Sequence, residues 1–180
     1  MTEKPEKIIT IFGSGYTSPD EKLWKEVRQV GEVLAKNGYT VCSGGYGGTM
    51  EAVSNGAKAA EGNTIGITIE SLNLPPNDYI DENVVMPNWV ERLMELIAIG
   101  DAYVIFKGGS GTLVEISAVL EMMNKKLMKE KPLIFYSHYW KGVVDILKLD
   151  SGQLKELIER NISFVETPVE ITDILDSLKI

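Results

Sequence analysis

Short β-branched runs alternate along the 180-residue chain with longer segments of helical period, and this alternation constrains the fold more than any other feature. Strand and helix signals in that order build βαβ units, whose strands lie parallel in a sheet covered by helices. Ile8-Ile9-Thr10-Ile11-Phe12, Thr64-Ile65-Gly66-Ile67-Thr68-Ile69, Ala102-Tyr103-Val104-Ile105-Phe106 and Pro132-Leu133-Ile134-Phe135-Tyr136 read as strands buried on both faces, because each is almost continuously apolar over a strand's length. Tyr39-Thr40-Val41-Cys42 is a further strand, and Val84-Val85-Met86 a short one. Leu23, Val27, Val30 and Leu34 share one face of the first helix. Its start is predicted at Ser18-Pro19-Asp20-Glu21, with Ser18 as N-cap, Pro19 at the first helical position and Glu21 closing a capping box. Asn37-Gly38 marks its stop. Three more helices are marked by Met50 to Ala60, by Val90 to Ala98 ending at Gly100, and by Ile116 to Met123. The tail carries helical patterns at Val143 to Leu147, Leu154 to Ile158 and Ile171 to Leu178, around a short run Ile162 to Val165. No linker or repeat divides the chain. The expected architecture is a doubly wound, mostly parallel α/β sheet in one domain over residues 1–180, with ligands in the crevice beyond the carboxyl ends of the strands.

Composition narrows the chemistry. Eighteen basic against 26 acidic residues give a net charge of −8, opposite to what a nucleic-acid polymer requires. One cysteine, Cys42, and one histidine, His138, leave no disulfide within the chain and no Cys/His metal cluster, so neither metal nor cofactor is expected. No run approaches the ~18 apolar residues of a membrane span, and Met1-Thr2-Glu3-Lys4-Pro5 has no apolar signal core. A cytoplasmic protein that contacts no membrane is expected.

Three glycine-rich turns follow three of the strands, at Gly13-Ser14-Gly15, Gly44-Gly45-Tyr46-Gly47-Gly48 and Gly108-Gly109-Ser110-Gly111-Thr112. In a doubly wound sheet they share one edge. Glycine lets bare N–H groups approach an anion, and each following helix adds the positive end of its dipole. Gly13, Ser14, Gly44, Gly45, Gly47, Gly108, Gly109, Ser110, Gly111 and Thr112 are therefore the expected phosphate-binding residues; tight strand-to-helix packing is the competing explanation for any one turn. The first turn lacks the third glycine of a dinucleotide fingerprint, and Cys42-Ser43 stands where a ribose-binding acid belongs. No turn ends in the Gly-Lys-Ser/Thr of a P-loop. A small nucleotide or sugar phosphate held without metal remains. Glu115, one turn into the helix after the third turn, either caps that helix or acts beside the phosphate. Arg92, near the start of the preceding helix, either approaches the same edge or forms a surface ion pair with Glu91 or Glu95.

The stretch Gly44 to Val53, then Arg92, then Asp101 to Glu115 resembles the LONELY GUY (LOG) family, often labelled "lysine decarboxylase-like", whose hallmark is Pro-Gly-Gly-x-Gly-Thr-x-x-Glu preceded by an arginine in the helix before it. The resemblance covers about Ile8 to Phe135. It implies a Rossmann-like fold, a homodimer or homotetramer, and hydrolysis of nucleoside 5′-monophosphates, including cytokinin nucleotides and AMP, to free base and ribose 5-phosphate. Decarboxylation would need a Schiff-base lysine and pyridoxal phosphate, for which nothing here provides. Gly109, Gly111 and Thr112 fall on the family's phosphate-binding positions, and Arg92 and Glu115 on its catalytic ones. Two departures stand out: Lys107 replaces the motif's proline, and Leu93 replaces a basic residue that commonly follows the arginine. A related subgroup resembles molybdenum-cofactor carriers, which hold a pterin ligand without cleaving it, so a carrier is the alternative. By analogy with glycoside hydrolysis, Glu115 is expected to deprotonate the attacking water and Arg92 to clamp the nucleotide. Glu121 is expected to be solvated or paired with Lys125, His138 to be structural and Cys42 to be a small buried side chain. Core and interface are both open for Leu113, Leu120 and Met123.

Overall fold

In the computed structural model, which describes residues 7–150 and 152–180, seven strands form one sheet in the order β4-β3-β2-β1-β5-β6-β7. The strands are β1 Lys7–Phe12, β2 Tyr39–Ser43, β3 Thr64–Ile69, β4 Glu82–Met86, β5 Ala102–Ile105, β6 Leu133–Tyr136 and β7 Ile162–Val165. Every neighbouring pair is parallel. Seven α-helices lie between and after them: α1 Lys22–Lys36, α2 Thr49–Ala59, α3 Trp89–Ile99, α4 Ser110–Asn124, α5 Lys141–Leu147, α6 Gln153–Asn161 and α7 Pro168–Ser177. Met1–Glu6, and with them the N-terminal segment read as lacking a signal core, lie outside the described residues, as does Ser151. No helix among the described residues is long and apolar enough to cross a membrane.

The chain winds outward from β1 to β4 and then returns to lay β5 against the other side of β1, with Ile9 opposite Ala102 and Phe12 opposite Ile105. The order reverses between β1 and β5, which is where an open α/β sheet leaves a crevice at its carboxyl edge. Two apolar layers sandwich the sheet. Ile9, Ile11, Val41 and Val104 face α1, α2 and α7 through Val27, Val30, Val53 and Ile171. Phe12, Ile67, Tyr103 and Ile105 face the opposite layer, which includes Ile97, Ile116, Leu120 and Met123. Burial on both faces explains the unbroken apolar runs. Leu120 and Met123 are thus core residues, whereas Leu113 is exposed. Helices α1 and α2 touch closely because Gly31 and Gly56 have no side chains: a Cβ on either would run into the main chain of the other helix.

Two local expectations are corrected. Helix α1 begins at Lys22 rather than at Pro19. Glu21 does accept a hydrogen bond from the Ser18 N–H (2.9 Å), and its own N–H donates to the Ser18 carbonyl (3.0 Å), so residues 18–21 close a separate turn that competes with the helix. The short strand expected at Val84-Val85-Met86 begins two residues earlier, as β4 starts at Glu82 and pairs with β3 over five positions at the end of the segment 70–86 that follows β3. The rest of the segment folds onto the second glycine turn, where the Asn77 N–H donates to Gly45 O (2.8 Å) and its side-chain amide to Tyr46 O (2.9 Å).

Candidate active site

The three glycine turns meet at the carboxyl edge. The Ser14 N–H donates to the Lys107 carbonyl (3.1 Å) and the Ser14 carbonyl accepts from the Thr49 N–H (2.8 Å), which ties the first turn to the other two. The glycines are not equivalent. A Cβ on Gly13 would lie 2.6 Å from Thr49 Cγ2, one on Gly44 would overlap the Arg92 guanidinium, and one on Gly108 would overlap the Thr112 hydroxyl. Gly45 and Gly48 have φ of +77° and +68°. These positions need glycine for internal packing or backbone conformation. Gly109 and Gly111 differ, since a Cβ on either would meet nothing within 4 Å. They face open space at the start of α4, a 15-residue helix with no side-chain cap and no acidic residue in its first turn. Unclaimed N–H groups at a helix start are the kind of donor set that can receive an anion. Ser14, Lys107, Gly108 and Gly109 share the walls of an adjoining cleft of about 300 Å³ with Tyr16 and Glu21, at the switch point between β1 and β5.

Arg92 sits in the first turn of α3, whose N-cap Asn88 accepts from the Glu91 N–H (3.0 Å). It forms no ion pair with Glu91 or Glu95. Instead it turns inward: Nε donates to Ile67 O (2.6 Å), Nη2 donates to Gly44 O (3.0 Å), and the guanidinium lies 5.5 Å from the centroid of the Tyr46 ring. Tyr46 is itself held by the Ile69 N–H, which donates to its hydroxyl (2.9 Å). Two of the guanidinium donors are thereby spent on positioning and the rest of the fork stays free. Burial lowers the Arg92 pKa, and the nearby Glu115 carboxylate opposes that shift.

Glu115 lies in the second turn of α4 and makes no hydrogen bond or ion pair with any described residue. It does not cap its helix. Burial raises its pKa to about 7, with Arg92 pulling the other way. The two side chains therefore feel one another without direct contact, beside the open start of α4. A carboxyl group poised near neutrality next to an arginine and an anion cradle suits general acid–base work.

The other sequence candidates take structural places. His138 is exposed, 2.7 Å from Glu166 and stacked on Phe164. Cys42 is buried, with its thiol pushed up to about 12 by desolvation. Glu121 pairs with Lys125 at 3.6 Å. No group of His, Cys, Asp and Glu among the described residues has metal-site geometry. Lys107 reaches over the exposed ring of Tyr139 (5.6 Å) rather than toward Arg92. Sequence reasoning missed Tyr46 and Asn77, which brace Arg92 and the second turn. Asn77 had a turn signal in Pro75-Pro76-Asn77-Asp78, while nothing local marks Tyr46.

A model of the SLOG cluster4 family matches residues 6–159. The chain belongs to the SLOG cluster4 family. Among the relatives of this SLOG cluster4 protein, a pyrimidine/purine nucleotide 5′-monophosphate nucleosidase of Escherichia coli is 30% identical over 140 residues, which is 73% of this chain and 30% of the relative. A cytokinin riboside 5′-monophosphate phosphoribohydrolase of Mycobacterium tuberculosis is 35% identical over 99 residues, covering 53% of this chain and 52% of the relative. The SLOG cluster4 chain thus matches less than a third of the nucleosidase's length and about half of the phosphoribohydrolase's. In structure it is similar to the molybdenum cofactor binding protein of Rippkaea orientalis, with a TM-score of 0.77 and 25% identity over 97% of this chain and 98% of the other.

Proposed function

We propose that this protein hydrolyses the N-glycosidic bond of a nucleoside 5′-monophosphate, of the cytokinin riboside or AMP type, to free base and ribose 5-phosphate. The observation that carries the reading is Glu115: a half-buried, largely desolvated carboxyl with a pKa near 7, close to Arg92 and set one turn beyond an uncapped helix start. The N–H groups of residues 110–112 hold the 5′-phosphate, with Gly109 and Gly111 giving it room and Thr112 adding its hydroxyl. Binding energy from the phosphate then places the anomeric carbon near Glu115. As a carboxylate, Glu115 takes a proton from the attacking water and stabilises positive charge developing on the ribosyl ring, as in glycoside hydrolysis. The free part of the Arg92 fork binds the nucleotide and aids departure of the base. Two relatives named for nucleotide hydrolysis support this reading.

A second reading, a carrier that holds a phosphate-bearing cofactor without cleaving it, is favoured by one observation: likeness to the cofactor-binding protein runs over nearly the whole of both chains. Incubation with a panel of purine and cytokinin monophosphates, with free base and ribose 5-phosphate measured, separates the two. Hydrolysis is expected from the wild type, falling at least about a hundredfold in Glu115→Gln. Equal turnover by both, together with tight pterin binding, would replace the hydrolase with the carrier.

We further infer that the protein works as a homo-oligomer. Trp89, Val90 and Met94 on α3 and Leu113 and Val114 on α4 are exposed apolar side chains on the two helices that carry Arg92 and Glu115. A second copy covering them would remove that apolar surface from water and shield the site as well.

A further inference from the structure

A cavity of about 610 Å³ lies far from the glycine turns, at the amino-terminal edge of the sheet. It opens where β1, β6 and β7 begin and where α7 ends. Its size is that of an ordinary small-molecule site. Its lining runs against the charge of the chain. Lys7, Lys129, Lys131, Arg160 and Lys179, five of 18 basic residues, face only two side-chain carboxylates, Asp101 and Glu130. With the main-chain carboxylate of Ile180 counted as well, the result is a local excess of two positive charges on a chain of net charge −8.

Three of those cations have structural partners. Lys7 pairs with Asp101 (3.1 Å) and Arg160 with Glu130 (2.8 Å), while Arg160 also lies 3.8 Å from Glu156. Lys131 donates to the carbonyls of Ile97 (3.2 Å) and Ala98 (3.0 Å) at the end of α3. These bonds hold the side chains in place while leaving their positive charge at the cavity wall. Lys129 and Lys179 are different: both line the cavity, and neither makes a side-chain hydrogen bond or ion pair with any described residue. Both are exposed at the cavity wall. Between the charged groups, Pro132, Ile174, Leu178 and Ile180 supply apolar wall.

We propose that this cavity is a second ligand site, separate from the glycine turns, and that it takes a small organic polyanion: a molecule with at least two negative groups to meet Lys129 and Lys179 and an apolar body to lie against Pro132 and Leu178. Polyphosphates and polycarboxylates share that chemistry. In a chain that repels anions overall, the local excess of cations concentrates such a ligand at this wall, and its hold weakens with added salt.

The test is an amide NMR titration of the full chain with pyrophosphate and, separately, citrate, at low ionic strength. Saturable shifts are expected in residues 130–131, 161–163 and 177–180 with at least one probe, and which probe gives them identifies the phosphate or carboxylate class. Lys129→Gln and Lys179→Gln, both at exposed positions, should each weaken that binding about tenfold, whereas Arg92→Ala should leave it unchanged. Shifts confined to residues 109–112, shifts that do not saturate, or affinity unaltered in the Lys129→Gln/Lys179→Gln double variant would overturn the proposal. Pyrophosphate at the glycine turns moves a different set of amides, so the result stands apart from the hydrolase reading.

Discussion

At Glu115, one residue carries opposite demands of stability and chemistry. Its pKa lies near 7 in the folded protein and near 4.5 in the unfolded chain, so between those values the native state holds the proton that the unfolded state has lost. Stability from this group is complete below about pH 4.5 and declines as pH rises to about 7. Glu115→Gln, which keeps the shape and removes the desolvated charge, should therefore stabilise the protein at pH 8 by ~1–3 kcal/mol and much less at pH 5; thermal melts at the two pH values check this. Activity should run the other way. A general base must be ionised, so kcat/KM for a nucleoside monophosphate should rise with pH and level off above an inflection near 7. Arg92 holds that inflection down by its charge, and Arg92→Ala should lower the rate and move the inflection to higher pH. A pH profile of each protein reads both effects. Neither the carboxylate's desolvation nor the two carbonyls that aim Arg92 could be read from sequence, because these carbonyls stand 25 and 48 residues from the arginine.

Among the elements, the turns sort into two kinds of glycine. Gly48 precedes α2 with φ +68° and ψ −130°, and a Cβ there would strike Ser14 O. Gly48→Ala should cost on the order of 3 kcal/mol, measured by denaturant unfolding. Gly111 is helical with open space before it, so Gly111→Ala should gain about 0.5–1 kcal/mol of helix propensity while placing a methyl where the phosphate approaches. A raised melting temperature with weakened AMP binding is the expected result. The sequence marked all these glycines as one class. What divides them is the side chain that each would meet, and that is set by packing. The elements themselves were more legible: β3 runs over Thr64–Ile69 as its apolar run predicts, and α2 and α4 follow their turns. The start of α1 was misplaced because a local turn at residues 18–21 satisfies its own backbone groups before the helix begins.

For the whole molecule, the two helices of the site also carry its exposed apolar face. Sedimentation should show an oligomer, and Val90→Glu combined with Leu113→Glu should give monomers with reduced activity, since a charge on each helix opposes burial of that face. The acidic surface has two local exceptions, the start of α4 with Arg92 at one edge of the sheet and the cation-lined cavity at the other. By itself the sequence determined the alternation of strands and helices, the parallel sheet and the placing of glycine turns after strands, because periodicity and turn chemistry are properties of neighbouring residues. Only the tertiary structure decided that Arg92 is braced by Gly44, Ile67 and Tyr46, that Glu115 titrates near neutrality, and that five cations from β1, α6, the segment before β6 and the end of the chain gather round one cavity. Desolvation and the meeting of distant side chains arise when the sheet closes, and no local pattern encodes them.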